Sequence, residues 1–136
     1  MILYENGFIR LEYDASTEML YVDGPDVQEY ALMRVYEASN IIVGAIGQYN
    51  IKRLLIDSSE TVVDVSHEDY QVVMNQFTRD LMKTSLQKVV RVATRDAARE
   101  SGVENYVKQV NKRAKPTLAF QNFTSRAAAI AWLTGE

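Results

Sequence analysis

The chain has 136 residues, of which 47% are hydrophobic and 24% are charged, and these values are typical of one folded domain. The absence of cysteine excludes disulfide scaffolds, thiol catalysis and thiolate metal centres, and a single histidine excludes a histidine-rich metal site. A formal net charge of −3 argues against broad binding to nucleic acid or to anionic membranes. We therefore expect no metal, no cofactor and no nucleic-acid partner.

Charge is unevenly distributed along the chain. Residues 1–70 carry 4 basic and 13 acidic side chains, whereas residues 71–136 carry 11 basic and 5 acidic side chains. This asymmetry is either an accident of surface composition or the sign of a dipolar surface that favours self-association or a charged partner.

Neither the first residues nor the most apolar internal stretch suggests a membrane protein. The first residues have neither the basic region nor the apolar region of a signal peptide. The most apolar internal stretch, residues 41–46, is far shorter than the roughly 20 residues that span a bilayer. We expect a cytoplasmic protein of bacterial origin without stable membrane insertion.

The first half of the chain predicts a hairpin, a helix and a buried strand. Residues 8–13 alternate between apolar and polar side chains, and residues 19–22 follow a turn, which is typical of a β-hairpin. Residues 31–49 place apolar side chains at helical spacing. Residues 52–57 form a short apolar run that predicts a buried strand.

The second half alternates between helices and strands. Ser66 with Asp69 predicts a capped helix start, and apolar side chains keep helical spacing from there to Leu81. Residues 88–94 and 117–120 predict strands. The Ser-Gly-Val-Glu sequence at 101–104 predicts the start of a further helix.

Thr124 or Ser125 caps a last helix, and the predicted order of elements becomes β-β-α-β-α-β-α-β-α. Strands separated by helices imply parallel pairing through right-handed crossovers. The sequence therefore predicts one α/β domain over residues 1–136. It has a single mixed, mostly parallel sheet of about five strands, an N-terminal β-hairpin and flanking helices.

Three passages carry a resemblance to a known family. They are Arg-Leu-Leu-Ile-Asp at 53–57, Val-Ser-His-Glu-Asp-Tyr at 65–70, and the segment from Phe120 to Ala-Trp-Leu at 131–133. In this order the chain resembles the STAS domain of anti-sigma-factor antagonists, in particular its SpoIIAA-like (STAS/SEC14-type) branch. The resemblance implies a regulatory module that acts through protein–protein contact, in some members switched by phosphorylation of a serine.

The family's switch motif, Asp-Ser-Ser-Gly at a helix start, is altered in this chain. By position it falls on residues 64–67, where Val65 replaces the phosphoacceptor and capping explains Ser66. A nearer literal match, Asp-Ser-Ser-Glu at 57–60, follows a strand instead. The resemblance makes six residues the candidate switch or partner surface: Asp57, Ser58, Ser59, Asp64, Ser66 and His67.

The same segment contains the only residues that suggest catalysis. Asp57 ends a predicted parallel strand, where open α/β sheets bind ligands, but its carboxylate also suits a turn cap. His67 suits either a general acid–base or an exposed first helical turn, where the helix dipole disfavours a protonated imidazole. The sequence has no glycine-rich phosphate loop and no nucleophile elbow. We therefore do not expect an enzyme. An enzyme built on Asp57 and His67 remains an alternative, ranked below the two binding functions described next.

Leu32, Tyr36 and Val43 form a second apolar strip beside the core face of the first helix. The strip is either a dimer or partner contact or the margin of a wide core face. We predict a non-enzymatic regulatory or protein-interaction module that forms a homodimer. The alternative is a carrier of a small molecule or lipid, SEC14-like, with an apolar cavity between sheet and helices.

Overall fold

The computed structural model describes residues 1–6, 8–23, 27–28, 32–59, 63–64, 66–93, 97–113 and 118–135. Strands and helices alternate after an opening run of strands. In chain order they are β1 (Ile2–Glu5), β2 (Arg10–Asp14), β3 (Met19–Asp23), β4 (Val27–Gln28), α1 (Leu32–Tyr49), β5 (Arg53–Asp57), β6 (Val63–Asp64), α2 (His67–Leu81), β7 (Lys88–Val92), α3 (Ala97–Arg113), β8 (Ala119–Phe123) and α4 (Arg126–Thr134).

One mixed six-stranded sheet organises the chain, with strand order β1-β2-β3-β5-β7-β8. Strands β1, β2 and β3 pair antiparallel, and β3, β5, β7 and β8 pair parallel. The predicted α/β class, mixed sheet and N-terminal hairpin are therefore confirmed.

Two strand features were not predicted. The sheet gains a sixth strand, β1. Its side chains are exposed or half-buried and do not alternate in burial, so there was no period-2 pattern from which to predict it. Strands β4 and β6 have two residues each and form a separate parallel pair. Such short strands are specified by their pairing in space and leave no pattern in the sequence.

The sheet is covered on both faces, and each face has its own core. Helices α1, α2 and α3 contribute to the larger core, where Leu20, Leu54, Val89 and Phe120 lie side by side across four strands. Helix α4 covers the other face, where its Ala129 and Leu133 are packed among Met19, Leu55, Val90 and Val92. Alternation along each parallel strand thus supplies both cores.

Helix caps explain two of the predicted helix starts, and the observed bounds of α3 correct a third. Ser66 caps α2 by accepting a hydrogen bond from the Asp69 amide at 3.1 Å, and Ser125 caps α4 in the same way through Ala128 at 3.2 Å. The predicted start of α3 at Ser101 is wrong, because α3 begins at Ala97 and Ser101 lies exposed within it. Glu100 occupies the first turn instead.

None of the helices in the described segments is long and apolar enough to cross a membrane.

Candidate functional site

A pocket of about 110 Å³ lies between the sheet and helices α1 and α2. Its floor includes Val22, Ile56 and Arg91, which are direct neighbours across β3, β5 and β7. Because the strands are parallel and in register, these three side chains form one row on the same face. The pocket therefore sits on the row next to the fully apolar row of Leu20, Leu54, Val89 and Phe120.

The walls of the pocket are mostly apolar. Val35, Ala38 and Ile42 come from one face of α1, at the helical spacing that the sequence predicted. Val73, Met74 and Phe77 come from α2. Side chains of this kind give water few polar partners and accept apolar molecules.

Arg91 is a charged residue in this apolar setting and is only 6% exposed. Its two terminal nitrogens pair end-on with the two oxygens of the Glu100 carboxylate; the Nη2–Oε2 distance is 3.0 Å. Nη1 also donates to Oδ1 of Asn122 at 3.1 Å, and Nη2 donates to the Tyr70 hydroxyl at 3.3 Å. The cluster links β7 to α2, α3 and β8.

The charge of Arg91 is retained in this environment. Burial by itself lowers the pKa of Arg91, but the hydrogen bonds and charge of Glu100, together with Tyr70, raise the pKa above its ordinary value. Glu100 is buried as well, and its carboxylate balances the charge of Arg91. The pair as a whole is therefore electrically neutral. A buried pair of this kind depends on both partners, because either one alone would be an uncompensated charge.

Ser58, the residue after β5, is also buried and lines the pocket. Its amide donates to the carbonyl of Val92 at 3.0 Å, which continues the pairing of β5 with β7 by one step. Among those of the six predicted surface residues whose side chains the structure describes, Ser58 is therefore the one that lines the apolar pocket.

Asp57 faces the opposite side of the sheet from the pocket floor. One carboxylate oxygen accepts from the amide and hydroxyl of Ser59 at 3.0 and 2.6 Å, which forms an Asx turn. The other oxygen accepts from Arg126 at 2.8 Å. Arg126 lies in the first turn of α4, where the helix dipole disfavours a cation, and Asp57 compensates for that position.

These bonds make Asp57 a stable carboxylate. Partial burial raises the pKa of Asp57, but the hydrogen bonds from Ser59 and the charge of Arg126 outweigh it and lower the pKa below its ordinary value. Asp23, the cross-strand neighbour of Asp57, lies 3.9 Å from Arg126. Asp57 therefore stabilises the turn after β5 through Ser59 and holds the start of α4 against the sheet through Arg126.

The remaining predicted residues are placed around the start of α2. Ser66 is exposed, and its hydroxyl is the N-cap acceptor. Asp64 belongs to β6 and His67 is the first residue of α2, and the side chains of both lie outside the described part of the structure. The structure thus brings Asp57, Ser58 and Ser59 together at the end of β5.

The strip of Leu32, Tyr36 and Val43 is half-buried, and all three side chains pack against the larger core. Met33, beside Leu32, is the strongly exposed apolar residue of α1 at 72%. On α2, Val72 is exposed at 56%.

Sequence reasoning missed Arg91 and Glu100. The available signal was a positive charge inside the valine-rich run of residues 88–92, since a charge on a buried strand requires a partner. Glu100 itself gave no signal, because the predicted helix began at Ser101 and placed Glu100 just outside it, whereas in the structure Glu100 lies in the first turn of α3.

Across the described segments, no group of three or more histidine or carboxylate side chains could hold a metal ion. A scan against models of protein families, a search of curated proteins and a search of solved structures gave no match for this chain.

Removing one partner of the buried pair should cost far more stability than removing a surface pair. We expect Arg91→Met to lower the free energy of unfolding by about 3–5 kcal/mol, because the Glu100 carboxylate is then buried without its cationic partner. Arg91→Met with Glu100→Leu should recover part of that loss. Urea denaturation followed by the fluorescence of Trp132 gives these values.

The control is Arg10→Met, which breaks the exposed pair of Arg10 and Glu5 at 3.3 Å. It should cost less than about 1 kcal/mol. Equal losses for the Arg91 and Arg10 variants would show that the Arg91 pair is not desolvated.

The turn at Asp57 should contribute to stability in a pH-dependent manner. Because the pKa of Asp57 is lower in the folded state, its stabilisation is complete above its unfolded value of about 3.9 and is lost as the pH falls through the folded pKa. The difference in unfolding free energy between wild type and Asp57→Asn should therefore be constant above about pH 5 and shrink towards pH 2.

Asp14→Asn is the matched comparison, since Asp14 accepts from the amide and hydroxyl of Ser16 at the same 3.0 and 2.6 Å. No arginine contributes to its lowered pKa, so the pH-dependent difference should be smaller. A difference for Asp57→Asn that does not change with pH would contradict the assigned charge interaction.

Proposed function

We propose that this chain is a non-enzymatic binding module that takes up a small apolar molecule between its sheet and helices α1 and α2. The observation that carries the proposal is the pocket of about 110 Å³, with its mostly apolar walls and its few polar groups. Pockets that combine apolar walls with a small number of oriented polar groups are the usual form of small-molecule sites.

The resemblance to the SpoIIAA-like (STAS/SEC14-type) branch supports this proposal, because its SEC14-type members suggest carriage of an apolar ligand. The size of the pocket narrows the expectation to a compact molecule, since a cavity near 150 Å³ accommodates about one benzene ring. We propose a cytoplasmic setting, as the sequence predicts.

The assignment of Asp57 and Ser59 to a turn supports the non-enzymatic part of the proposal. Both oxygens of Asp57 accept hydrogen bonds from groups that shape the backbone or hold α4. Their chemistry is accounted for by structure, which leaves the pocket as the place where a ligand fits best.

Toluene is a suitable probe of the pocket, because it is compact and apolar. We expect millimolar toluene to shift the NMR methyl resonances of Val35, Ile56 and Val73 and to raise the melting temperature. Ala38→Leu, which extends a buried wall residue into the cavity, should abolish both effects.

Ala127→Leu is the control, because Ala127 is exposed on α4 and faces no part of the pocket. It should bind toluene as wild type does. The proposal fails if the wild-type methyl resonances do not respond, or if Ala38→Leu responds as strongly as wild type while retaining native near-ultraviolet circular dichroism.

A second candidate function is the regulatory protein-interaction module with homodimer formation that the family resemblance implies. The observation in its favour is the exposure of Met33 and Val72 on α1 and α2, two helices that pack against each other. Met33 adjoins the half-buried Leu32 of the predicted strip. An exposed apolar patch is characteristic of a contact surface, and we propose that these two side chains belong to one.

If this surface joins two copies, Met33→Lys combined with Val72→Lys should shift the protein from dimer to monomer at micromolar concentration. Introduced charges at the centre of an apolar contact oppose association because they must be desolvated. Native mass spectrometry measures the fraction of dimer. Ile2→Lys is the control, since Ile2 is also exposed but lies on the edge strand β1. A monomeric wild type, or a dimer that survives the double substitution, would refute this second function.

A further inference from the structure

The Ser58 hydroxyl is a buried polar group on the wall of an apolar pocket. The residue is 7% exposed, and its backbone is fixed by the bond from its amide to Val92. Within the described part of the chain, the side-chain hydroxyl makes no hydrogen bond. Buried hydroxyl groups almost always have a partner, so this one requires an explanation.

The other polar side chains of the wall already have hydrogen-bond partners or other interactions within the protein. The two terminal nitrogens of Arg91 carry four N–H groups, and these donate to Glu100 twice, to Asn122 and to Tyr70. The Ser39 hydroxyl donates to the Val35 carbonyl at 3.0 Å. Tyr70 and Thr78 have further interactions of their own.

This distribution decides what charge a ligand can carry. Glu100 neutralises Arg91, and all four terminal N–H groups of the guanidinium are directed to protein acceptors. An anionic group entering the pocket would meet a guanidinium whose charge Glu100 already balances. It would lose its hydration for at most one bond, from the Nε–H of Arg91, which is unfavourable. A single neutral hydrogen-bonding group, by contrast, would find the Ser58 hydroxyl, which both donates and accepts.

We propose that the pocket selects a compact, uncharged apolar molecule with one hydrogen-bonding group, and that Ser58 determines this specificity by pairing with that group. The inference rests on the proposed ligand-binding function and adds the chemical class of the ligand. Small phenols, alcohols and ketones have this chemistry; fatty acids and phosphate esters do not.

Phenol and toluene are the probes, because they have the same number of heavy atoms and differ only in hydroxyl against methyl. NMR titration gives the dissociation constant of each. In Ser58→Ala, we expect the affinity for phenol relative to toluene to fall by about tenfold, since the phenol hydroxyl is then buried without a partner. Toluene affinity should be unchanged or slightly higher.

Ser39→Ala is the matched control, because Ser39 also lines the pocket but its hydroxyl is bonded to its own helix. It should leave the ratio of the two affinities as in wild type. If both probes bind and Ser58→Ala leaves the ratio unchanged, the specificity role of Ser58 is overturned while ligand binding stands. If neither probe binds wild type, the proposed function falls and this inference with it.

Discussion

The in-register parallel pairing of β3, β5, β7 and β8 is the constraint on which the rest of this structure depends. It places residues at the same position in each strand side by side, so that each face of the sheet consists of rows of side chains that cross four strands. One row is wholly apolar and seals the larger core. The next row on the same face contains Val22, Ile56, Arg91 and Asn122, and it changes from apolar to polar across the sheet. The pocket lies over the point in this row where apolar Val22 and Ile56 give way to charged Arg91.

The buried arginine connects this row to three other elements. Through Glu100 it holds α3, through Tyr70 it holds α2, and through Asn122 it holds β8. An ion pair in the interior contributes little net stability, because desolvation offsets the attraction between the charges. Its effect here is positional: planar, paired hydrogen bonds set the geometry of the pocket's polar end more narrowly than apolar contacts would.

The end of β5 separates two kinds of chemistry that are adjacent in the sequence. Asp57 and Ser59 belong to a turn that docks α4 through Arg126, whereas Ser58 lies on the pocket side. Alternation of side chains along an extended chain is sufficient to send neighbours to opposite faces. An Asp-Ser-Ser segment that resembles a family switch motif is therefore divided here between a structural turn and the wall of a cavity.

The sequence by itself determined the elements whose signals are local. Hydrophobic periodicity located α1 and α2, the apolar run located β5, and serine caps located the starts of α2 and α4, because these signals depend on neighbours a few residues away. Only the tertiary structure decided the pairing of Arg91 with Glu100, the partners of Asp57, and the burial of Ser58. These features depend on strand order, on strand register and on the start of α3 at Ala97. Because α3 starts there, Ser101 lies inside the helix and does not cap it. For the same reason the sequence did not predict the short strands β4 and β6 or the edge strand β1. Backbone pairing between distant segments produces no periodic pattern in the sequence.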